Sequence, residues 1–251
     1  MRIFLTVIWS LFSSLLFAQT ADSLFVKANK LYQLENYDEA ISLYQQIADN
    51  QVASDDLYYN MANTYYKMNQ VAPAVFYYEK ALLLNPNHAD ASYNLSFAKR
   101  MAIDNIEALP KTIGERFSLG VIQRLHYNTW AWLAVIFALG FTVLFLLYHF
   151  SYSSAKKRFY FISSILSALF VLVFVLFAFN NSNYVKTNRY AIVFEQQIDV
   201  KTAPTASGEI SFELHEGAKV KLLETVDDWF KIKLADGKIG WMPKEALKEI
   251  K

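Results

Sequence analysis

A chain of 251 residues with 54% hydrophobic and 16% aromatic content is too apolar to be one ordinary soluble domain and long enough for several small ones. Its formal charge of +1 conceals no basic stripe of the kind that binds nucleic acid, since residues 20–107 carry 6 Lys/Arg against 11 Asp/Glu and residues 184–251 carry 11 against 11. With no cysteine, disulfides, thiolate metal sites, a cysteine nucleophile and a lipidated cysteine are excluded together.

The first segment, MRIFLTVIWSLFSSLLFAQT, has one positive residue, Arg2, then an apolar run and a small residue, Ala18, before polar sequence. That is the layout of a signal peptide over residues 1–18, with an uncleaved N-terminal anchor as the alternative. On either reading the residues that follow are exported.

From Leu24 the sequence repeats with a period of 34 residues: Ala28 aligns with Ala62, Ala40 with Ala74 and Tyr44 with Tyr78. This period belongs to tetratricopeptide (TPR) helix-turn-helix repeats. A resemblance to that family places small residues where paired helices approach (Ala28, Ala62), small residues opening the second helix (Ala40, Ala74), and a closing proline at Pro86. A third first helix follows as ADASYNLSFAKR, with Ser96 at the small-residue place and no clear second helix after it. Residues 22–104 are therefore expected to be TPR repeats with a capping helix, and 105–128 an amphipathic linker. The linker has a breaker at Pro110 and then Phe117, Val121, Ile122 and Leu125 at helical spacing. That stripe suits either the membrane surface or the last repeat.

Residues 130–149 carry no formal charge with His149 neutral, and at about 1.5 Å per residue are long enough to cross the apolar part of a bilayer. The same holds for 159–179. Transmembrane helices are expected over 129–150 and 159–180, with Trp130 and Trp132 at one interface and Tyr148 and Tyr160 at the other. The loop between them, 151–158, ends in Lys156, Lys157 and Arg158, which places it in the cytoplasm by the positive-inside rule and both flanking modules on the opposite side. Neither helix has an ionisable residue in its middle, so anchoring outweighs transport. Ala134 and Ala138 on one helix, and Ser164 and Ala168 on the other, are spaced to let the pair, or another membrane protein, pack closely.

After residue 184 short alternating runs (AIVF, KVKLLE, WFKIKLA) are separated by turn signals at Pro204, Gly208, Gly217 and Asp236-Gly237, the pattern of a small all-β barrel. Residues 184–251 resemble the bacterial SH3-like family in ELHEG (213–217), the DDW before a strand (227–229) and DGKIGWMP (236–243). KTAP (201–204) departs from the family's usual turn at that place. The expected fold is thus multidomain: all-α TPR repeats, a two-helix transmembrane hairpin and an all-β SH3-like barrel.

Phosphate loops, GxSxG and HExxH motifs are absent, and His88, His126, His149 and His215 have no metal-ligand spacing. Asp55-Asp56 and Asp227-Asp228 read as helix-start and turn residues rather than acid/base pairs. No enzyme, no cofactor and no metal are expected. Binding surfaces are the better candidates. The first helix of each TPR lines the concave wall, where Phe25, Tyr59 and Tyr93 form one row, Asn29 and Asn63 another, and Asn60 and Asn94 stand beside them, with Tyr32 and Tyr66 extending the face. Asparagine can hold a peptide backbone through donor and acceptor together, and aromatic faces add apolar contact. The competing reading is that these tyrosines pack between repeats. Phe25 and Asp90 stand where a carboxylate-clamp TPR needs positive charge, which disfavours a ligand with an acidic C-terminal tail. In the last module Trp229 and Trp241 flank a candidate groove for a peptide or cell-wall stem peptide, or else belong to the core.

The order of signal peptide, TPR, helix hairpin and SH3-like module resembles the TPR component of the Bacteroides aerotolerance (Bat) operon. The resemblance implies an inner membrane with both modules periplasmic, von Willebrand A-type membrane partners with a MoxR-type ATPase nearby, and a role in stress tolerance or envelope assembly. The function expected is a scaffold binding partner proteins through the TPR wall, with a peptidoglycan-binding module as the alternative.

Overall fold

The computed structural model describes residues 21–50 and 52–251, so the signal-peptide segment lies outside the described residues. The chain divides into two compact units: residues up to Ala108 together with Tyr190–Lys251, and Leu109–Arg189.

The first unit begins with helices α1 (residues 21–33), α2 (Tyr37–Asp49), α3 (Asp55–Lys67), α4 (Val71–Leu84) and α5 (Ala89–Met101). They repeat as the sequence does. Ala28, Ala40, Ala62 and Ala74 are buried to 1% exposure or less, because only a methyl group fits where paired helices touch. The turns inside the two repeats are equivalent as well. Glu35 and Asn69, 34 residues apart, both hold φ near +60° (62° and 61°). The next amides, of Asn36 and Gln70, donate to the carbonyls of Leu31 and Tyr65 at 2.9 and 3.0 Å, a left-handed helix stop. The Ser54 hydroxyl caps α3 by accepting from the Leu57 amide at 3.0 Å. No second helix follows α5 before Thr112, and Ser96, in line with Ala28 and Ala62, is accordingly exposed.

The same unit contains seven strands: β1 (Tyr190–Val193), β2 (Gln197–Lys201), β3 (Ile210–His215), β4 (Lys219–Val226), β5 (Trp229–Lys233), β6 (Ile239–Pro243) and β7 (Leu247–Glu249). They form one antiparallel sheet in the order β3-β2-β6-β5-β4-β1-β7. Val193, Val200, Val220, Ile232 and Met242 fill its core. Gly237, at φ 97°, makes the β5–β6 turn at the Asp-Gly pair.

Strand β1 explains why repeats and sheet form one unit. Ala191 and Val193 enter the sheet core, whereas Ile192 and Phe194 enter the core of the helical repeats, so the run AIVF is apolar because both of its faces are covered. The Phe194 ring meets Phe76 of α4 edge-on at 5.7 Å. At Gly217, φ is 85° and a Cβ would lie 2.8 Å from Val71 of α4, so the sheet's backbone reaches the helix surface only where a side chain is missing. The Asp104 carboxylate accepts the His215 amide at 2.6 Å, with the His215 ring nitrogen 3.0 Å from its other oxygen. The sheet thus covers α4, part of the apolar face that a longer repeat array would cover with another helix.

The second unit holds a short helix α6 (Ile113–Phe117) running into a π-turn (Ser118–Ile122), then α7 (Tyr127–Phe150) and α8 (Ser154–Thr187). Lys156, Lys157 and Arg158 already belong to α8, leaving only residues 151–153 between the two long helices. The α7–α8 seam differs from the four-residue spacing read in the sequence. Ala134, Ser164 and Ser167 are buried, whereas Ala138 and Ala168 are exposed, because the seam advances by three as well as four residues. The Ser167 hydroxyl donates to the Phe137 carbonyl at 2.7 Å, and Phe137 packs against Phe170 and Phe174 at 5.2 and 5.3 Å.

Candidate functional site

The wall residues of α1, α3 and α5 form two equivalent hydrogen-bonded stations. In the first, the Asn29 carbonyl oxygen accepts from the Tyr44 hydroxyl at 2.5 Å and from Asn60 Nδ2 at 3.1 Å. In the second, the Asn63 carbonyl oxygen accepts from the Tyr78 hydroxyl at 2.5 Å and from Asn94 Nδ2 at 3.0 Å. Asn94 Nδ2 also lies 3.3 Å from the Tyr59 hydroxyl. Burial, then the neighbouring Tyr32, pushes the Tyr44 phenol above its ordinary value. Burial, then Tyr59, does the same to Tyr78, against a lowering hydrogen bond from Asn94. Both phenols therefore stay protonated donors, and two donors converging on one oxygen fix which way each amide points. Nδ2 of Asn29 and Asn63, and the side-chain oxygens of Asn60 and Asn94, have no hydrogen-bond partner among the described residues.

Around the first station a hollow of about 260 Å³ is lined by Asn29, Tyr32, Gln33, Tyr44 and Asn60. The aromatic row divides. Phe25 packs on Tyr44 at 5.9 Å, and Tyr59 is held between Tyr78 and His88 at 6.2 and 4.8 Å. Tyr32 sits 5.6 Å from Tyr37, and Tyr66 packs on the repeat core. Tyr93 stands apart, 66% exposed and edge-on to Phe97 at 4.8 Å, since no second helix covers α5. The sequence singled out for the wall only residues of α1, α3 and α5; Tyr44 and Tyr78, which orient the asparagines, were visible there only as a repeat mark.

Trp229 and Trp241 are half-buried on the face of the sheet opposite its core, because their register partners Pro243 and Lys231 alternate with the buried Ile232 and Met242. A groove of about 900 Å³ runs past Trp229, between Asp199, Lys201, Asp228 and Lys244. Trp241 is not part of its lining; Lys231 lies 5.6 Å over the Trp241 ring. The groove mixes both charge signs.

Two charged clusters lie elsewhere. Glu79 of α4, 8% exposed, receives Lys99 of α5 at 2.8 Å and Lys219 of β4 at 2.6 Å. Burial works to raise its carboxyl, and Lys219 and then Lys99 override this and hold it below the ordinary 4.5. Asp55, Asp56 and His88 bring ligand atoms within 4.8 Å of one another. His88 Nδ1, however, accepts from the Ala91 amide at 3.2 Å, and Asp55 accepts from Asn85 at 2.7 Å. The other ring nitrogen, Nε2, faces Asp56 at 3.8 Å, and the trio is a helix-start arrangement.

Residues 56–88 match the family model of the tetratricopeptide repeat, and residues 197–248 match that of the bacterial SH3 domain. No curated protein matches the chain. The chain therefore carries two kinds of module that typically bind rather than catalyse, together with two helices long and apolar enough to cross a membrane.

Proposed function

We propose that this protein is a membrane-anchored periplasmic scaffold that grips an extended segment of a partner protein along the TPR wall. The observation that carries the reading is the pair of asparagine stations. Each leaves one amide donor and one amide acceptor at the wall, oriented from behind by a buried tyrosine, and an extended peptide backbone offers the complementary pair at each residue. The anchor is α7 and α8. Chain on either side of them packs into one compact unit, which supports an even number of crossings, and Lys156, Lys157 and Arg158 favour a cytoplasmic turn. With the Bat-like order of modules, the partners implied are von Willebrand A-type membrane proteins in an envelope complex serving aerotolerance or stress.

Asn29→Asp with Asn63→Asp tests this, because aspartate keeps the oxygen that Tyr44 and Tyr78 need and removes the free donor. Mild-detergent capture from the native membrane is expected to retain von Willebrand A-type proteins with the parent and lose them with the variant. Equal capture by both removes the wall from the account. The groove past Trp229 favours a second reading, peptidoglycan binding by the SH3-like module. Co-sedimentation of the detergent-solubilised protein with purified peptidoglycan, lost on Trp229→Ala, supports it, and failure to sediment rejects it.

A further inference from the structure

The second unit begins with a tightly specified local structure. The Thr112 side chain accepts from the Glu115 amide at 3.3 Å while the Glu115 carboxylate accepts from the Thr112 amide at 2.8 Å, a reciprocal cap that starts α6 after Pro110. The following π-turn is bolted to the long helices. Its Ile122 carbonyl accepts from the Trp130 indole N–H at 2.9 Å and from Asn181 Nδ2 at 2.9 Å, and the Leu125 carbonyl accepts from the same Asn181 amide group at 2.6 Å. Trp130 opens α7, and Asn181 follows the last apolar stretch of α8. The segment is therefore fixed where the apolar length of both helices ends, at the level Trp130 occupies as an interfacial aromatic.

Ile122 points inward and is buried, yet Ile113, Phe117 and Val121, at every fourth position, are 88%, 54% and 39% exposed. Lys111 and Arg116 beside them have no ion-pair partner among the described residues. We infer that residues 111–121 form an interfacial element that lies in the headgroup region of an anionic lipid surface, with Ile113, Phe117 and Val121 in the acyl boundary and Lys111 and Arg116 on lipid phosphates. This rests on the reading of α7 and α8 as membrane spans. Continuity with the exposed apolar surface of α7, where Trp132 and Ile136 are open, makes lipid the occupant, because water is the alternative neighbour for three large side chains and opposes their exposure.

A chain without cysteine allows single spin labels on the full-length protein in nanodiscs containing phosphatidylglycerol. Phe117→Cys and Val121→Cys labels are expected to be more accessible to oxygen than to a water-soluble nickel chelate. A label at Glu107→Cys, in the other unit, is expected to reverse that order, and one at Leu139→Cys, mid-α7, to be shielded from the chelate. Free chelate access at Phe117 with Leu139 shielded overturns the interfacial element alone. Free access at both overturns the membrane spans on which it rests. Shielding of Phe117 from oxygen and chelate together places protein over the stripe and also overturns the inference.

Discussion

Glu35 holds φ at 62° in the turn between α1 and α2, where its repeat counterpart is Asn69 at 61°. A left-handed conformation is tolerated by asparagine and costs a residue such as glutamate about 1 kcal/mol relative to glycine. Glu35 is exposed, so nothing else is lost on replacing it. Glu35→Gly is expected to stabilise the first unit by roughly 0.5–1 kcal/mol, read as a raised urea midpoint with an unchanged slope. At this scale the sequence was only partly legible. Asn29 and Asn63 were singled out by their spacing as candidates for the wall, but an amide's direction is set by what lies behind it. The consequence is practical: Asn63→Ala removes the acceptor of the buried Tyr78 hydroxyl, costing about 1–3 kcal/mol, and would confound a loss of fold with a loss of binding, whereas Asn63→Asp does not remove it.

The junction of α4 with the sheet is decided by a few elements, each with its own failure. Gly217→Ala places a methyl group 2.8 Å from Val71 in a left-handed turn, and is expected to destabilise the first unit by more than about 1 kcal/mol. Val71→Ala added to it relieves the clash and not the φ cost, so recovery is partial. Glu79 supplies a pH signature. Its folded value lies below 4.5, so its contribution is present above that value and is lost as pH falls through the folded value. The protection of β1 amides, read as exchange relative to the intrinsic rate at each pH, is expected to fall in that acidic window in the parent, and to lose the Glu79-linked part of that fall in Glu79→Gln, which at neutral pH is less stable by about 1–3 kcal/mol. The sequence signalled neither contact. Periodicity reports which face of a helix is apolar, not what covers it, and the charges of Glu79 and Lys219 lie 140 positions apart. AIVF was grouped with the alternating runs, whereas its four residues are all apolar and enter two cores in turn; an apolar run without alternation marks a strand covered on both faces, and that trace was missed.

For the molecule as a whole, two long apolar helices and a later shift from helical to strand periodicity were legible, because length and period are properties of the chain alone; the shift falls after Thr187, where α8 ends, rather than at residue 184. The segment 105–128 was not legible, since its stripe fitted two surfaces; its first residues stay with the first unit, and from Leu109 onward it belongs to the unit of the long helices, where Trp130 and Asn181 hold Ile122. The scaffold account requires both soluble modules on one side of the membrane. Impermeant thiol reagent applied to spheroplasts is expected to label Ser207→Cys, on an exposed loop of the sheet, and to reach Tyr152→Cys, between α7 and α8, only after permeabilisation. The reverse order would invert the topology. The central claim, that a partner lies along the TPR wall, is tested most directly by a photo-crosslinking residue placed at Tyr93, exposed on that wall, and for comparison at Leu34, exposed on the turn after α1. The account predicts an adduct with a membrane-protein partner from Tyr93 and not Leu34, abolished by Asn29→Asp with Asn63→Asp. An adduct from Leu34 alone, or one at Tyr93 that survives the double substitution, would contradict it.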